Sequence, residues 1–468
     1  MSEAGTAAQP LRVAIVGAGP SGFFLAQSLL GREALNVQVD LYERLAAPYG
    51  LVRFGVAPDH ERIKNVTRSF DAVARRPGFR FFGNVDFGRD VTLEDLRRHY
   101  HQICFTTGAQ TDRRMGIPGE DLQRSHPATE FVAWYNGHPD FRDCHFDLSV
   151  ERVAVIGVGN VAVDVARILC RTPEELATTD IADYALDALR CSRVREVYLI
   201  GRRGPVQAAF TTPEAKEMGE LAGADVRVLP EEVALDPLSQ MELDQADDKQ
   251  LTRKVDVLKE FSTRQRTGKS RLLTLRFLLS PVELKADAQG RVAGMRAVRN
   301  RLEGTPGKLK SAPTDVFEDL PVELVFRSVG YRGVALPGVP FYDKWGTIPN
   351  DKGRVLDGEP KTGKRVPGLY VSGWIKRGPS GVIGTNKPDA VETAASMLED
   401  LAAGAVPEPA EPGADAAERL VRQRQPRVVS FDDWHRLEAL ENERGKAAGR
   451  PRVKMTSTEE MLAALGRK

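Results

Sequence analysis

Two stretches of the chain share one arrangement of apolar and small residues. In Leu11 to Gly22 (LRVAIVGAGPSG), the β-branched run Val13, Ile15 and Val16 predicts a strand buried on both faces. Gly17, Gly19 and Gly22 follow it, and then an apolar helix over Phe23 to Leu30. In Arg152 to Ala162 (RVAVIGVGNVA), a similar strand runs into Gly157, Gly159 and Ala162 and then a helix over Val163 to Cys170. Strand, turn and helix in this order form a fingerprint for dinucleotide phosphates. The first glycine allows the tight turn, the second lets the backbone approach a pyrophosphate, and the third small residue lets the helix pack on the strand. The helix N-terminus then offers unpaired N–H groups to the phosphates.

The rest of the pattern places further elements around these two. After the first helix a strand is predicted over Val37 to Tyr42, then a loop broken by Pro48, Gly50, Gly55 and Pro58, which is expected to cover the sugar or ring of a nucleotide. A helix is expected over Glu61 to Ala74, a strand over Arg80 to Asn84, a helix over Leu93 to Tyr100 and a strand over Ile103 to Gly108. Beyond the second fingerprint, Thr172 to Arg195 reads as one longer capped helix, followed by a strand over Val197 to Ile200. Arg271 to Leu284 and Val292 to Leu302 read as a hairpin around Ala288-Gln289-Gly290, and Val322 to Gly330 as a buried strand. Leu369 to Ser372 is a strand that enters a Gly-rich loop and a helix over Asp389 to Leu401. A linker is expected after Pro407, and short helical patterns in the tail from Phe431.

The acid and base content separates the two fingerprints. Glu43 ends the strand after the first, 21 residues beyond Gly22, where a carboxylate can accept from a ribose hydroxyl. After the second, Val197 to Ile200 runs into Gly201, Arg202 and Arg203, with no acid there. Guanidinium groups suit a 2′-phosphate, so the second site is expected to prefer NADP(H) to NAD(H). Arg253, Lys254, Lys259, Arg264 and Arg266 form a basic stripe that is either a solvated face or a receptor for an acidic protein.

Composition narrows the setting. With 468 residues and a net charge of +1, the chain can bury a large core and carries no bulk attraction for nucleic acid or anionic membrane. No run approaches about 18 apolar residues, so no membrane span is expected. The first ten residues, MSEAGTAAQP, read as a disordered leader rather than a signal, which points to the cytoplasm. Cys104, Cys144, Cys170 and Cys191 are widely spaced, without a CxxC pair or a metal-ligand cluster, so a dithiol redox site and a metal site are not expected.

Four stretches together resemble the adrenodoxin-reductase-like ferredoxin–NADP reductases, above all the bacterial NADPH-ferredoxin reductases. They are GAGPSGFF, PYGLVRFGVAPDHERIKNV, GNVAVDVARIL with GRRGPVQAAFTTPE, and GWIKRGPSGVIGTN. The resemblance implies an α/β chain of two Rossmann-like dinucleotide-binding domains with parallel sheets and β-hairpin additions. An FAD domain (8–112 and 333–406) would hold an inserted NADP domain (113–332), with a linker and tail (407–468) packing on the FAD domain. Carried over, the FAD contacts fall on Ser21, Glu43, Leu51, Val85, Trp374 and the Gly381, Val382 and Ile383 backbone, beside Gly17, Gly19 and Gly22. The NADP contacts fall on Asn160, Val161 and Ala162, on Arg202 and Arg203, on Glu214 and on Gly381, beside Gly157 and Gly159. His60 and Glu217 match catalytic positions near flavin and nicotinamide. Lys216, Arg253 and Lys254 match positions that dock an acidic iron–sulfur protein, a ferredoxin. The implied activity is hydride transfer from NADPH to N5 of FAD, then single electrons to that ferredoxin. An electron-input subunit of a fixed partner enzyme and a non-catalytic nucleotide sensor are the alternatives; the oligomeric state is left open.

Overall fold

In the computed structural model, which describes residues 4–467, the Leu11–Val16 strand is buried along its whole length at the middle of a seven-stranded sheet. On one side it pairs in parallel with Val37–Glu43, which pairs with Phe79–Gly83; on the other it pairs with Gln102–Phe105, which pairs with Lys364–Val371. Arg354–Asp357 and Asn350–Asp351 complete the edge as antiparallel strands. The strand therefore sits where the winding reverses direction, and the crevice beyond its carboxyl end is where open parallel sheets bind ligands. The Pro20–Leu30 helix packs against Asn386–Ala402 over this sheet, so the two distant stretches meet there.

A second, six-stranded sheet is parallel throughout, in the order Ser125–Pro127, Leu324–Arg327, Arg152–Ile156, Glu196–Ile200, Arg271–Arg276, Ala224–Val228. Its fingerprint strand, Arg152–Ile156, again lies at the reversal. The chain passes between the sheets through an antiparallel ribbon of two residues per strand, Thr111–Asp112 with Tyr331–Arg332. A three-stranded antiparallel sheet, Leu279–Ala286, Val292–Glu303 and Lys310–Leu320, flanks the second unit.

Several expectations need correction. The run from Arg271 splits at Leu278, which has φ +54°, while Glu232 accepts the Phe277 N–H at 2.7 Å; the first half enters the parallel sheet and the second starts the antiparallel one. The expected hairpin thus gains a third strand. Thr172 to Arg195 is not one helix. A capping box at Thr172 starts Pro173–Ala177, the chain breaks at Thr178 to Ala182, and Asp183–Arg190 follows. Glu61 to Ala74 is similarly broken into Glu61–Lys64 and Thr67–Ala74. The linker contains a helix, Ala414–Arg424, and the tail holds a 17-residue helix, Phe431–Ala447, opened by a Ser430–Asp433 capping box. Of the expected disordered leader, residues 1–3 lie outside the described residues. Of the remainder, Ala4 is buried and Asn36 N–H donates to the Gly5 carbonyl at 2.8 Å, while Thr6, Ala7 and Ala8 are exposed.

Candidate nucleotide sites and the network between them

The two fingerprints have the same local geometry. Gly17 has φ +111° and Gly157 φ +132°, and a Cβ on either would stand 2.7 Å from the Thr106 carbonyl or 2.2 Å from that of Ser328. A Cβ on Gly22 would meet the Gly17 carbonyl at 2.3 Å, so helix and turn touch there. Gly19 and Gly159 differ from these, because a Cβ on either meets no protein atom within 4 Å. The middle glycine of each turn faces open space, as a backbone that cradles a phosphate must.

Around the first cradle, Glu43 accepts from Ala18 N–H at 2.9 Å and from Leu45 N–H at 3.1 Å. Burial raises its carboxyl above the usual range, against the pull of these two bonds. Val85 is buried and donates its N–H to the Glu43 carbonyl. Ser21 is also buried, with its Oγ donating to Ser372 Oγ at 2.9 Å. Trp374 begins the short Trp374–Arg377 helix and donates Nε1–H to the Ser380 carbonyl at 3.1 Å. Leu51 and Val382 are 42% and 54% exposed, large apolar surface that a flat ring can cover. Arg377 donates Nη2 to Thr385 Oγ1 at 3.0 Å and to Asn386 Oδ1 at 3.2 Å, while its Nη1 is buried without a hydrogen-bond partner among the described residues. Gly381 has φ +77°, and the Ile383–Thr385 turn leads into the Asn386–Ala402 helix. The residues present fit an FAD.

Around the second cradle, Asn160 opens the Asn160–Cys170 helix with its Oδ1 buried and unpartnered among the described residues. Val161 and Ala162 follow in its first turn. Arg202 is exposed and Arg203 half-buried, and neither has a carboxylate partner among the described residues. Their carbonyls are fixed instead, Arg202 O by Asn300 Nδ2 at 2.9 Å and Arg203 O by Leu278 N–H at 3.1 Å. Two unneutralised guanidiniums at a strand end fit a 2′-phosphate. Glu214 is committed locally, since its Oε2 accepts from Thr211 N–H at 2.8 Å in a capping box.

His60, which caps the Glu61–Lys64 helix, and Glu217, on the Thr212–Gly219 helix, meet across the two halves of the chain: Nε2 and Oε2 are 2.8 Å apart. Asp164, on the second fingerprint helix, places Oδ1 3.7 Å from His60 Nδ1. Arg167, one helical turn on, bonds to Asp164 at 3.0 Å, stands 3.4 Å from Glu217 and pairs with Asp59. Arg171 reaches the same Asp59 oxygen at 2.7 Å. Burial pushes the Asp164 carboxyl up to about 7, against the pull of His60 and Arg167. Burial also works against a charged His60, but the bond to Glu217 and the nearby carboxylates outweigh it and raise the ring above its ordinary value. Glu217 is lowered, first by the same bond. Sequence reasoning missed Asp59, Asp164, Arg167 and Arg171. Asp164 and Arg167 lie in the quoted VDVARIL, where polar residues inside an apolar helix were a readable signal.

Of the expected docking residues, Arg253 is exposed and Lys216 half-buried. Lys254 needs correction. It is 5% exposed, donates Nζ to the Ala208 carbonyl at 2.5 Å and lies 5.6 Å from the Phe210 ring centre. It faces the core side of the amphipathic Lys249–Thr263 helix, where burial lowers its amine to about 8, so no partner can reach it.

Residues 11–235 match the family described as pyridine nucleotide-disulphide oxidoreductase. The chain is 45% identical over 466 residues to the NADPH-ferredoxin reductase FprA of Mycobacterium tuberculosis, covering 97% of this chain and 99% of that one. It is 44% identical to the human mitochondrial NADPH:adrenodoxin oxidoreductase, covering 97% and 92%. It belongs to this reductase family. The solved structure of Mycobacterium tuberculosis FprA in complex with NADPH superposes with a TM-score of 0.91 at 44% identity, over 98% of this chain and 100% of that one.

Proposed function

We infer that the protein is an FAD-dependent NADPH:ferredoxin oxidoreductase, in which the first fingerprint holds FAD and the second NADP(H). The observation that carries this reading is the contrast between the cradles, one ended by the carboxylate of Glu43 and the other by the unneutralised Arg202 and Arg203. The NADPH complex and the names of the relatives support it. We take 8–112 with 333–406 as the FAD domain, 113–332 as the NADP domain and 407–468 as the tail on the FAD domain. The ribbon of Thr111–Asp112 and Tyr331–Arg332 supports these limits.

When bound, FAD accepts a hydride from NADPH and yields electrons singly to an iron–sulfur protein. The chain's own part is to bind, orient and balance charge. Gly19 and Gly159 admit the phosphates, and the exposed faces of Leu51 and Val382 exclude water from a ring. The N–H groups at the start of the Ile383–Thr385 turn, with the helix after it, favour negative charge near them. Asp164, raised to about 7, and His60, raised above its ordinary value by Glu217 and the nearby carboxylates, can hold or release a proton at Oδ1 and Nε2. Glu217 orients the ring through its bond to Nε2.

Arg253 and Lys216 are the residues through which an acidic ferredoxin docks. Among the described residues no helix is long and apolar enough to cross a membrane. The four free cysteines support a reducing compartment, and we place the protein in the cytoplasm. The test is anaerobic mixing of the yellow holoprotein with NADPH, followed by a ferredoxin. Bleaching of the flavin and then reduction of the iron–sulfur centre is the expected result. A holoprotein that NADPH leaves yellow is a sensor rather than a reductase.

A further inference from the structure

One polar cluster crosses between the halves of the molecule without touching either fingerprint. Asp180 lies in the break between Pro173–Ala177 and Asp183–Arg190, and its side chain is 8% exposed. Lys64 Nζ donates to its Oδ1 at 2.7 Å, and Lys454 Nζ stands 3.2 Å from its Oδ2. Both lysines come from the flavin side. Lys64 ends the short helix that His60 opens, and Lys454 lies in the C-terminal segment running back along Phe431–Ala447. Lys454 Nζ also donates to the Arg53 carbonyl at 3.2 Å and to the Asn136 carbonyl at 3.2 Å, with its side chain 1% exposed. Two residues before it in the bridging segment, Arg452 adds its charge near Asp180, and Arg450 pairs with Asp183 and donates to the Ile181 carbonyl at 3.3 Å. Burial opposes ionisation of Asp180, yet the surrounding cations hold its carboxyl at about 2.

The covalent crossing between the halves is only the two-residue ribbon, which leaves their angle to side-chain contacts. Asp180 is the carboxylate on the nucleotide side that two ammonium groups from the flavin side converge upon. A buried carboxylate that loses such partners keeps an uncompensated charge, so the cluster resists opening. Lys64 also stands four residues from His60, so the same contact holds the loop that meets Glu217.

We propose that Asp180, Lys454 and Lys64 form a positioning latch through which the C-terminal segment sets the angle between the two domains and so the rate of transfer between their cofactors. The proposal rests on the assigned reductase reading. Its residues lie outside both fingerprint turns, with Lys454 meeting the Leu51–Phe54 helix at the Arg53 carbonyl, so the effect expected is on alignment rather than on NADP⁺ affinity.

The test uses the holoprotein with Lys454→Met, Asp180→Asn, the double variant and Lys454→Arg. NADP⁺ affinity by titration, flavin bleaching in single turnover and the radius of gyration by small-angle scattering are measured together. The expected result is NADP⁺ affinity within about twofold of the parent and bleaching slower by about 10- to 100-fold in each single variant. The double variant should be no slower than the worse single, Lys454→Arg should recover part of the rate, and the scattering should broaden. Wild-type bleaching in both single variants overturns the latch. So does slow bleaching with unchanged scattering, or a loss of NADP⁺ affinity that accounts for the rate. If Lys454→Met does not retain flavin, Arg450→Ala, whose partner Asp183 is exposed, carries the same test; a parent rate there overturns the proposal. Failure of the parent itself to bleach is a failure of the reductase reading, and the scattering result stands apart from it.

Discussion

Arg202 and Arg203 hold their backbone carbonyls in fixed bonds while their guanidiniums have no carboxylate partner among the described residues, so binding a 2′-phosphate breaks no ion pair there. A charge-assisted bond of this type contributes about 1.5–3 kcal/mol, roughly 10- to 100-fold in affinity. Arg203→Ala and Arg202→Ala should each raise the NADPH dissociation constant by about that factor and leave NADH nearly unchanged. Titration with both nucleotides checks this, and a surviving preference for NADPH in the double variant locates the clamp elsewhere. His60 gives a pH prediction. Its folded value is raised, so its contribution to stability is full below about pH 6.5 and is lost as pH rises through the folded value. Glu217 is lowered, so its contribution is full above about pH 4.5 and is lost as pH falls through its folded value. His60→Gln should therefore flatten the decline in stability as pH rises above about 6.5, measured by urea unfolding. An unchanged slope would show that the pair does not couple the domains.

The turns and helices separate residues that hold the fold from residues that hold ligand. Gly157→Ala forces a Cβ to 2.2 Å from the Ser328 carbonyl at a positive φ, so it should destabilise the protein by about 1–3 kcal/mol or more. At Gly159 an added Cβ meets no protein atom within 4 Å, so Gly159→Ala should leave the melting temperature in place while weakening NADPH about 10-fold or more, by filling the cradle. Thermal melts and nucleotide titration on the pair distinguish the two roles; equal melting temperatures contradict the assignment. On Lys249–Thr263, Arg253→Glu should weaken ferredoxin about 5-fold or more at low salt, whereas Lys254→Met should not, because only Arg253 is reachable. Both fingerprints were legible from period and glycine spacing alone, because each is a local device. The Lys310–Leu320 strand was missed because it alternates mostly polar residues, and only its long antiparallel partner defines it. The breaks at Leu278 and Thr178 were missed because partners far along the chain impose them: Glu232 holds Phe277 and Lys64 holds Asp180. Lys254 was misjudged for a related reason, since the charge on a residue says nothing about which helix face the core selects.

At the scale of the whole molecule, the flavin cradle depends on the far end of the chain. Glu441, wholly buried on the Phe431–Ala447 helix, accepts from both terminal nitrogens of Arg53 at 2.5 and 2.8 Å and from Met455 N–H at 2.7 Å. The Arg53 guanidinium also lies 5.0 Å over the Trp434 ring. Arg53 sits in the Leu51–Phe54 helix, and that helix begins at Gly50, where an added Cβ would stand 3.1 Å from Gly19 Cα. A line of contacts therefore runs from the C-terminal helix through Arg53 to the middle glycine of the first fingerprint. Removing one partner of such a buried pair leaves the other charge uncompensated, a loss of about 3–5 kcal/mol. Glu441→Ala should lower stability by that amount and release flavin at a lower urea concentration than the parent. NADP⁺ binding should persist beyond that point, because the second cradle has no part in this line. Glu441→Gln keeps an acceptor for Met455 N–H and should lose less. Flavin fluorescence and NADP⁺ titration along one urea series read both sites. If Glu441→Ala holds its flavin to the same urea concentration as the parent, the support for the first cradle comes from the Pro20–Leu30 and Asn386–Ala402 helix pair alone.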